Sequence, residues 1–412
     1  MTTTQDTTHS LSDKGIVITA QAAPYLLDEA ISLPAAVLYQ SRLTNNLSWM
    51  QRFADAQGVK LAPHGKTTMT PALFQQQCEQ GAWGLTLATP PQVAAAAEAG
   101  TRRVLMANQL VGHANMQLIS QLLENPQLDF HCLVDSRANV EALNRFFTSR
   151  GQTLNVMIEM GADGGRCGCR TSEQALALGH AIAQQPALNL TGIETYEGVI
   201  SGPNAPARIR QHLTWVLKTA QEVYGQGLFT GAKAILTGAG SAWYDLVVEV
   251  FSQADPDTFT TVIRPGCYLI HDQGIYLEAQ QNVRQRLGDT CTIPGDLQSA
   301  LEIWAYVQSL PEAGVAIIGL GKRDCAFDAG LPQPTLHFRP MDDTPKPAPS
   351  SWQVVKIMDQ HATMTIPSDS NLRVGDMIAF STSHPCLTFD KWRQLHVIDD
   401  QFRVLNTIDT FF

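Results

Sequence analysis

Four short stretches of this chain combine residue types able to do chemistry. Pro63-His64-Gly65-Lys66-Thr67 follows an aliphatic run near Val59 to Leu61 and precedes a segment opening on Pro71. A lysine at a strand end, in a closed and partly desolvated site, becomes nucleophilic enough to form a Schiff base with a carbonyl. A solvated loop lysine is the plain alternative. Thr237-Gly238-Ala239-Gly240-Ser241 follows another aliphatic run and precedes a helical segment bearing Asp245. Small residues let a backbone close on a phosphate while N–H groups and a hydroxyl donate to it, although turns also need glycine for conformational reasons alone.

Gly161 to Gly168 reads Gly-Ala-Asp-Gly-Gly-Arg-Cys-Gly. An arginine amid glycines can be held with its guanidinium aimed at a ring nitrogen or a carboxylate; a loop-tying salt bridge is the simpler role. Cys167 and Cys169 lack a second Cys/His pair nearby and read as structural thiols. Ser383-His384-Pro385-Cys386 places an imidazole and a thiol two residues apart. On an extended segment they face one side and reach one metal together, and this donor pair favours zinc while leaving positions open for substrate or water. Incidental proximity is the alternative.

The elements that must position these residues are βα units. From about Ala30 to Asp245, aliphatic runs near Ala35-Val37-Tyr39, Val59-Leu61, Gly84-Leu87, Val104-Met106, Phe130-Val134, Asn155-Ile158, Leu190-Ile193 and Ala234-Leu236 alternate with segments of helical period. Eight such units imply a closed α/β barrel, whose chemistry collects at the C-terminal strand ends. Pro71 and Pro90-Pro91 suit first helical turns. An open doubly wound sheet lacks its glycine fingerprint in the first βα turn. After Ile263-Arg264-Pro265-Gly266 the pattern turns to short strands, such as Val354 to Met358, Met377 to Phe380 and Leu395 to Ile398. The expected division is a barrel over 30–264 and a mostly β domain over 265–412, with residues 1–29 a candidate addition to the second. The proline-rich stretch from Asp328 to Ser350 reads as an irregular connection.

Composition narrows the function. The 412 residues carry 28 Lys+Arg against 38 Asp+Glu, a net charge of −10, without a dense basic run. That disfavours nucleic acid or an anionic membrane as partner. No apolar run approaches the roughly 18 residues of a membrane span, and Met1 to Asp13 lacks the basic residues of a signal peptide. Eight cysteines are too sparse for a disulfide scaffold. The expectation is a soluble cytosolic protein acting on a small molecule.

The order of these pieces, with Tyr196-Glu197-Gly198 and Asp328-Ala329-Gly330-Leu331-Pro332 between them, resembles the D-serine dehydratase and D-threonine aldolase group of alanine-racemase-type, fold type III, pyridoxal-phosphate enzymes, over about Pro34 to Trp392. The resemblance implies an eight-stranded α/β barrel plus a β domain, assembled as a homodimer with shared sites. It also implies residue roles. Lys66 would hold the cofactor as a Schiff base, Arg166 would face the pyridine nitrogen, and Tyr196, Gly238, Gly240 and Ser241 would hold the cofactor and its phosphate. His384 and Cys386 would bind zinc. The implied reaction is zinc-assisted dehydration of a β-hydroxy D-amino acid such as D-serine to a 2-oxo acid and ammonia.

Several positions depart from the group's pattern. Ala62 and Thr68-Met69 stand where basic residues are usual, and Val199-Ile200 where aldolases tend to carry a histidine able to deprotonate the β-hydroxyl. With Cys386 in place of an aspartate, they favour dehydratase over retro-aldol lyase. Phe389-Asp390 alters the end of the metal motif. A racemase would need a second base, for which Tyr268 is the candidate; packing at the domain junction is its expected role. A pyridoxal-phosphate carrier without turnover is the alternative of another class, and a metal-only barrel hydrolase a third. His64, His113 and His271-Asp272 are assigned no catalytic role.

Overall fold

The structure, a computed structural model, describes residues 13–18, 24–288 and 291–412. The expectations for residues 1–12 and 19–23 lie outside the described residues. The chain forms two compact units: the described residues up to Asn46 with Leu269–Glu278 and Asp296–Phe412, and Leu47–Tyr268 with Ala279–Gly295.

The second unit is the α/β barrel. Strands β2 (Lys60–Leu61), β3 (Leu85–Leu87), β4 (Arg103–Gln109), β5 (Asp129–Val134), β6 (Leu154–Met160), β7 (Leu188–Thr195), β8 (Ala234–Gly238) and β9 (Phe259–Ile263) pair in parallel in the order β2-β9-β8-β7-β6-β5-β4-β3. A bridge between His64 and Thr86 joins the two ends of that order. Inside, Ala62, Leu105, Leu133, Met157, Ile235 and Val262 form one buried cluster, so the barrel is a packed core rather than a pore. Helices Pro71–Glu79 and Pro90–Glu98 begin on the expected prolines. Helix Ala205–Gly225 buries Ile209, Leu213, Val216, Leu217, Ala220 and Val223, the face its helical spacing marked.

Two strand assignments differ from the sequence reading. β1 (Ala35–Tyr39) is not a barrel strand; it lies in the sheet of the other unit, and β9, unread in the sequence, completes the barrel. All five residues of β1 are buried, and such a run suits the middle of either sheet. Its partners decide, and they come from the end of the chain. The other unit is a mostly β sheet built from β10 (Leu301–Glu312), β11 (Val315–Ile318), β12 (Gln333–Phe338), β13 (Lys346–Pro347), β14 (Gln353–Ile357), β15 (Ala362–Thr365), β16 (Met377–Ser381), β17 (Gln394–Ile398) and β18 (Val404–Asp409). Here β1 runs antiparallel to β10 and parallel to β17.

The stretch from Asp328 to Ser350 is not wholly irregular, because β12 pairs with β16 and with β13 inside it. Its prolines are tolerated where a ladder can spare a donor. The register shifts between Pro334 and Leu336, and Pro347 sits on the two-residue outer strand.

Candidate active site

Lys66 lies on a short 3₁₀ turn, Gly65–Thr67, directly after the first barrel strand. Thr86 pins this turn from β3, its N–H bonding Pro63 O at 2.8 Å and its hydroxyl bonding Ala62 O at 2.8 Å. Gly65 must be glycine, since a Cβ there would meet Phe74 Cε1 at 2.7 Å. Lys66 is exposed at the mouth. Beside it, His64 keeps its Nδ1 buried without a hydrogen-bond partner. Burial, then the charges of Lys66, Arg264 and Arg166, holds this imidazole well below the usual histidine range. Lys66 and Arg166 thus stand near a neutral ring together with Arg264, whose charge is paired with the buried Glu194.

Arg166 stands on the loop after β6, its guanidinium over the Tyr196 ring at 4.6 Å from the centroid. The loop takes its shape from a residue the sequence reading passed over. Arg170 donates to the carbonyls of Arg166, Cys167 and Gly168, each at 2.7 Å. A Cβ on Gly161 would come within 1.9 Å of the Arg170 guanidinium, so glycine is what admits the clamp.

Tyr196, half-buried after β7, is seated on two glycines: a Cβ on Gly198 would meet its OH at 2.4 Å and one on Gly240 its ring at 2.9 Å. Those glycines therefore answer first to the tyrosine. The Gly-rich turn after β8 is held by Glu197, fully buried, which accepts the N–H groups of Ala239 at 3.0 Å and Gly240 at 2.8 Å. Burial pushes this carboxyl up while the backbone bonds pull it down. Ala239 sits at φ +83°, a conformation that favours glycine. Ser241 Oγ accepts the N–H groups of Gly266 and Cys267 at 3.2 and 3.1 Å. Gly238 ends β8 and is buried.

Below the mouth, Arg264 is buried against Glu194 and donates to Thr237 Oγ1 and Thr195 O, both at 3.0 Å. Glu159 on β6 accepts from Gln109; burial and the neighbouring Glu194 raise it to about 7. Neither pair was found in the sequence, where the only trace of Arg264 was its place after an aliphatic run, before Pro265-Gly266. Tyr268 is buried, its OH accepting from Gln77 at 3.1 Å.

In the β unit, His384 and Cys386 do not lie on a strand. β16 ends at Ser381, Pro385 has helical angles (φ −59°, ψ −43°) and Cys386 opens a one-turn helix to Phe389. The two side chains nevertheless interact: the bond to Cys386 and the bond to Asp328 push His384 up to about 9 against the pull of burial. Asp328 Oδ2 lies 2.8 Å from His384 Nδ1. Imidazole nitrogen and thiol sulfur in contact suit a soft-ligand cation such as zinc. Among the described residues, one triad of potential ligands lies close enough to share an ion, Asp135, Glu159 and Cys167 in the barrel unit. Its carboxylates already accept from Gly168 N–H and Gln109.

Comparison with known proteins places the chain. The family model "Alanine racemase, N-terminal domain" matches residues 39–272, more than half of the sequence, and "Putative serine dehydratase domain" matches 300–398. The chain belongs to the alanine racemase N-terminal domain family, the fold type III group of pyridoxal-phosphate enzymes, with a serine-dehydratase-like second domain. It is 24% identical over 341 residues to a D-threonine aldolase of Arthrobacter sp, covering 80% of this chain and 83% of the relative. It is 32% identical over 170 residues to the D-threo-3-hydroxyaspartate dehydratase of Delftia sp. (strain HT23), covering 41% and 44%. A solved D-threo-3-hydroxyaspartate dehydratase, in the metal-free form of a cysteine-to-alanine variant, superposes with a TM-score of 0.74 at 20% identity, covering 94% of this chain and 99% of that one. A second solved variant replaces the histidine two positions before that cysteine. No helix of the described residues is long and apolar enough to cross a membrane.

Proposed function

We propose that this chain is a cytosolic, homodimeric pyridoxal-phosphate lyase that dehydrates a β-hydroxy D-amino acid, with D-serine giving pyruvate and ammonia, assisted by zinc. The observation that carries the reading is the gathering of Lys66, Arg166 and Arg264 about the neutral His64, beside Tyr196 and the Gly-rich turn. These residues fit an anionic aromatic aldehyde. Lys66 offers the amine, Arg166 a fixed charge and Tyr196 an aromatic body, and the turn of Gly238, Gly240 and Ser241 would stand beside the phosphate, its Gly240 N–H already bonded to Glu197.

When bound, pyridoxal phosphate supplies an electron sink for the α-carbon and zinc a Lewis acid for the departing hydroxyl. Lys66 would hold the cofactor covalently, and its Nζ, once released, would take the α-proton. Placed beside the ring nitrogen, Arg166 would disfavour its protonation, because a second positive charge next to a guanidinium is costly. That would weaken the sink, and His384 and Cys386 would hold the metal that supplies the Lewis acid. His64, kept neutral by burial, neither competes for the cofactor's negative charge nor adds to the positive charge at the mouth.

A retro-aldol lyase is the second reading, and the long alignment to a D-threonine aldolase favours it. Against it stand Val199-Ile200, which offer no base for the β-hydroxyl, and the His-x-Cys pair, the residue types and spacing replaced in the solved dehydratase variants. The test is pyruvate release from D-serine with and without a chelator. Chelator-sensitive pyruvate supports the proposal; glycine plus an aldehyde from D-threonine, without pyruvate from D-serine, rejects it. A D-threo-3-hydroxyaspartate arm, read as oxaloacetate, reports whether the substrate carries a second carboxylate. A cofactor absorption band with no product from any hydroxy amino acid would identify a carrier.

A further inference from the structure

Around His384 the β unit forms a closed set of hydrogen bonds that the metal pair alone does not require. Asp328 Oδ2 meets His384 Nδ1 at 2.8 Å. Two residues on, Gly330 O accepts the Ser383 hydroxyl at 2.8 Å, with Gly330 at φ +127°, open to glycine and strained for other residues. From the other side, the buried Thr388 hydroxyl donates to His384 O at 3.0 Å and accepts the Ala326 N–H at 3.0 Å. The loop 326–330 is thereby fastened to the segment 383–388 on both sides of the histidine. The Tyr276 ring closes the imidazole edge-on, its centroid 6.3 Å away.

A carboxylate only accepts, so a neutral His384 bonded to Asp328 carries its proton on Nδ1 and presents the lone pair of Nε2. Carboxylates placed behind metal-ligating histidines fix the tautomer, orient the ring and raise its basicity as a ligand. We infer that Asp328 is a positioning residue that locks His384 in the Nε2-ligating tautomer and so sets the affinity of the His384–Cys386 pair for zinc. This rests on the reading of that pair as a metal site.

The test measures zinc affinity on cofactor-loaded full-length protein by competition with a chelating dye, together with the folding midpoint and the cofactor absorption band. The informative variant is D328N, which keeps the shape of the side chain and removes its charge; D328A removes both. Affinity should fall roughly tenfold in D328N and up to roughly 100-fold in D328A, the range for such supporting carboxylates, with folding midpoint and absorption band unchanged. D328E should recover part of the loss. A purely structural Asp328 would leave D328N at wild-type affinity, and that result overturns the inference even if D328A fails to fold. H384A separates the two readings. If it binds zinc as the wild type does, the metal pair and this inference fall together; if it loses zinc while D328N does not, only the role of Asp328 falls.

Discussion

The barrel mouth and the metal-pair segment are built on opposite principles. In the barrel, functional side chains stand over buried charge: Arg264 and Glu194 are 4% and 1% exposed, and Glu197 and Glu159 are buried with neighbours that shift them. Around His384 the lacing is mostly neutral hydroxyl and backbone bonding, with one carboxylate, Asp328, bonded to the ring and 42% of its side chain exposed. Charge inside a desolvated core is expensive to leave unpaired, whereas a part-exposed pair can be broken cheaply. Losses in the barrel should therefore appear as instability, and losses at the metal pair as altered ligand affinity.

The largest expected effect tests the exception within the barrel. Lys66 is exposed, so Lys66→Ala should leave the folding midpoint unchanged while turnover falls about 10²–10⁴-fold, as for a lost proton-transfer group. No borohydride-reducible adduct should remain, by mass spectrometry. A midpoint that drops with activity would erase the distinction between mouth and underlying charge. Next, Arg264→Leu strands Glu194 in the interior and should reduce stability by about 3–5 kcal/mol in denaturant unfolding.

A third effect sharpens the comparison through pH. Glu159 titrates near 7 in the fold against an ordinary 4.5, so the folded state holds its proton over that window. Its contribution is fully present below pH 4.5 and is lost as pH rises through 7, by about 3 kcal/mol. Glu159→Gln should remove this slope, seen as a stability difference from wild type that grows in the mutant's favour between pH 5 and pH 8. Smaller again, His384→Ala should lower stability by about 1 kcal/mol in metal-free protein through its lost bonds to Asp328 and Cys386, while elemental analysis shows the zinc gone.

How much of this was readable in the chain depends on the range of each interaction. The proline-started helices, the barrel's helical faces and the positions of Lys66 and Arg166 after their strands follow from local spacing, and all were legible. Glu197 stood in plain sight beside Tyr196, yet nothing local says that its carboxylate holds the turn 42 and 43 residues further on. Arg170 and Asp328 are alike: each acts through one geometric relation that spacing does not encode. His384 and Cys386 were paired for the wrong reason, an extended segment, when a proline-led helical turn brings them together.

By itself, the sequence determined which residues could carry chemistry, that aliphatic runs alternate with amphipathic helices, and the order of motifs that marks the family. Period and residue type are properties of a dozen neighbouring residues, so no folding is needed to see them. Tertiary structure alone decided that Ala35–Tyr39 leaves the barrel for a sheet with β10 and β17, that Phe259–Ile263 takes the vacant place, and which carboxylate meets which arginine. Those choices compare the burial of one strand or one charge among partners hundreds of residues apart, a comparison that exists only once the chain has closed on itself.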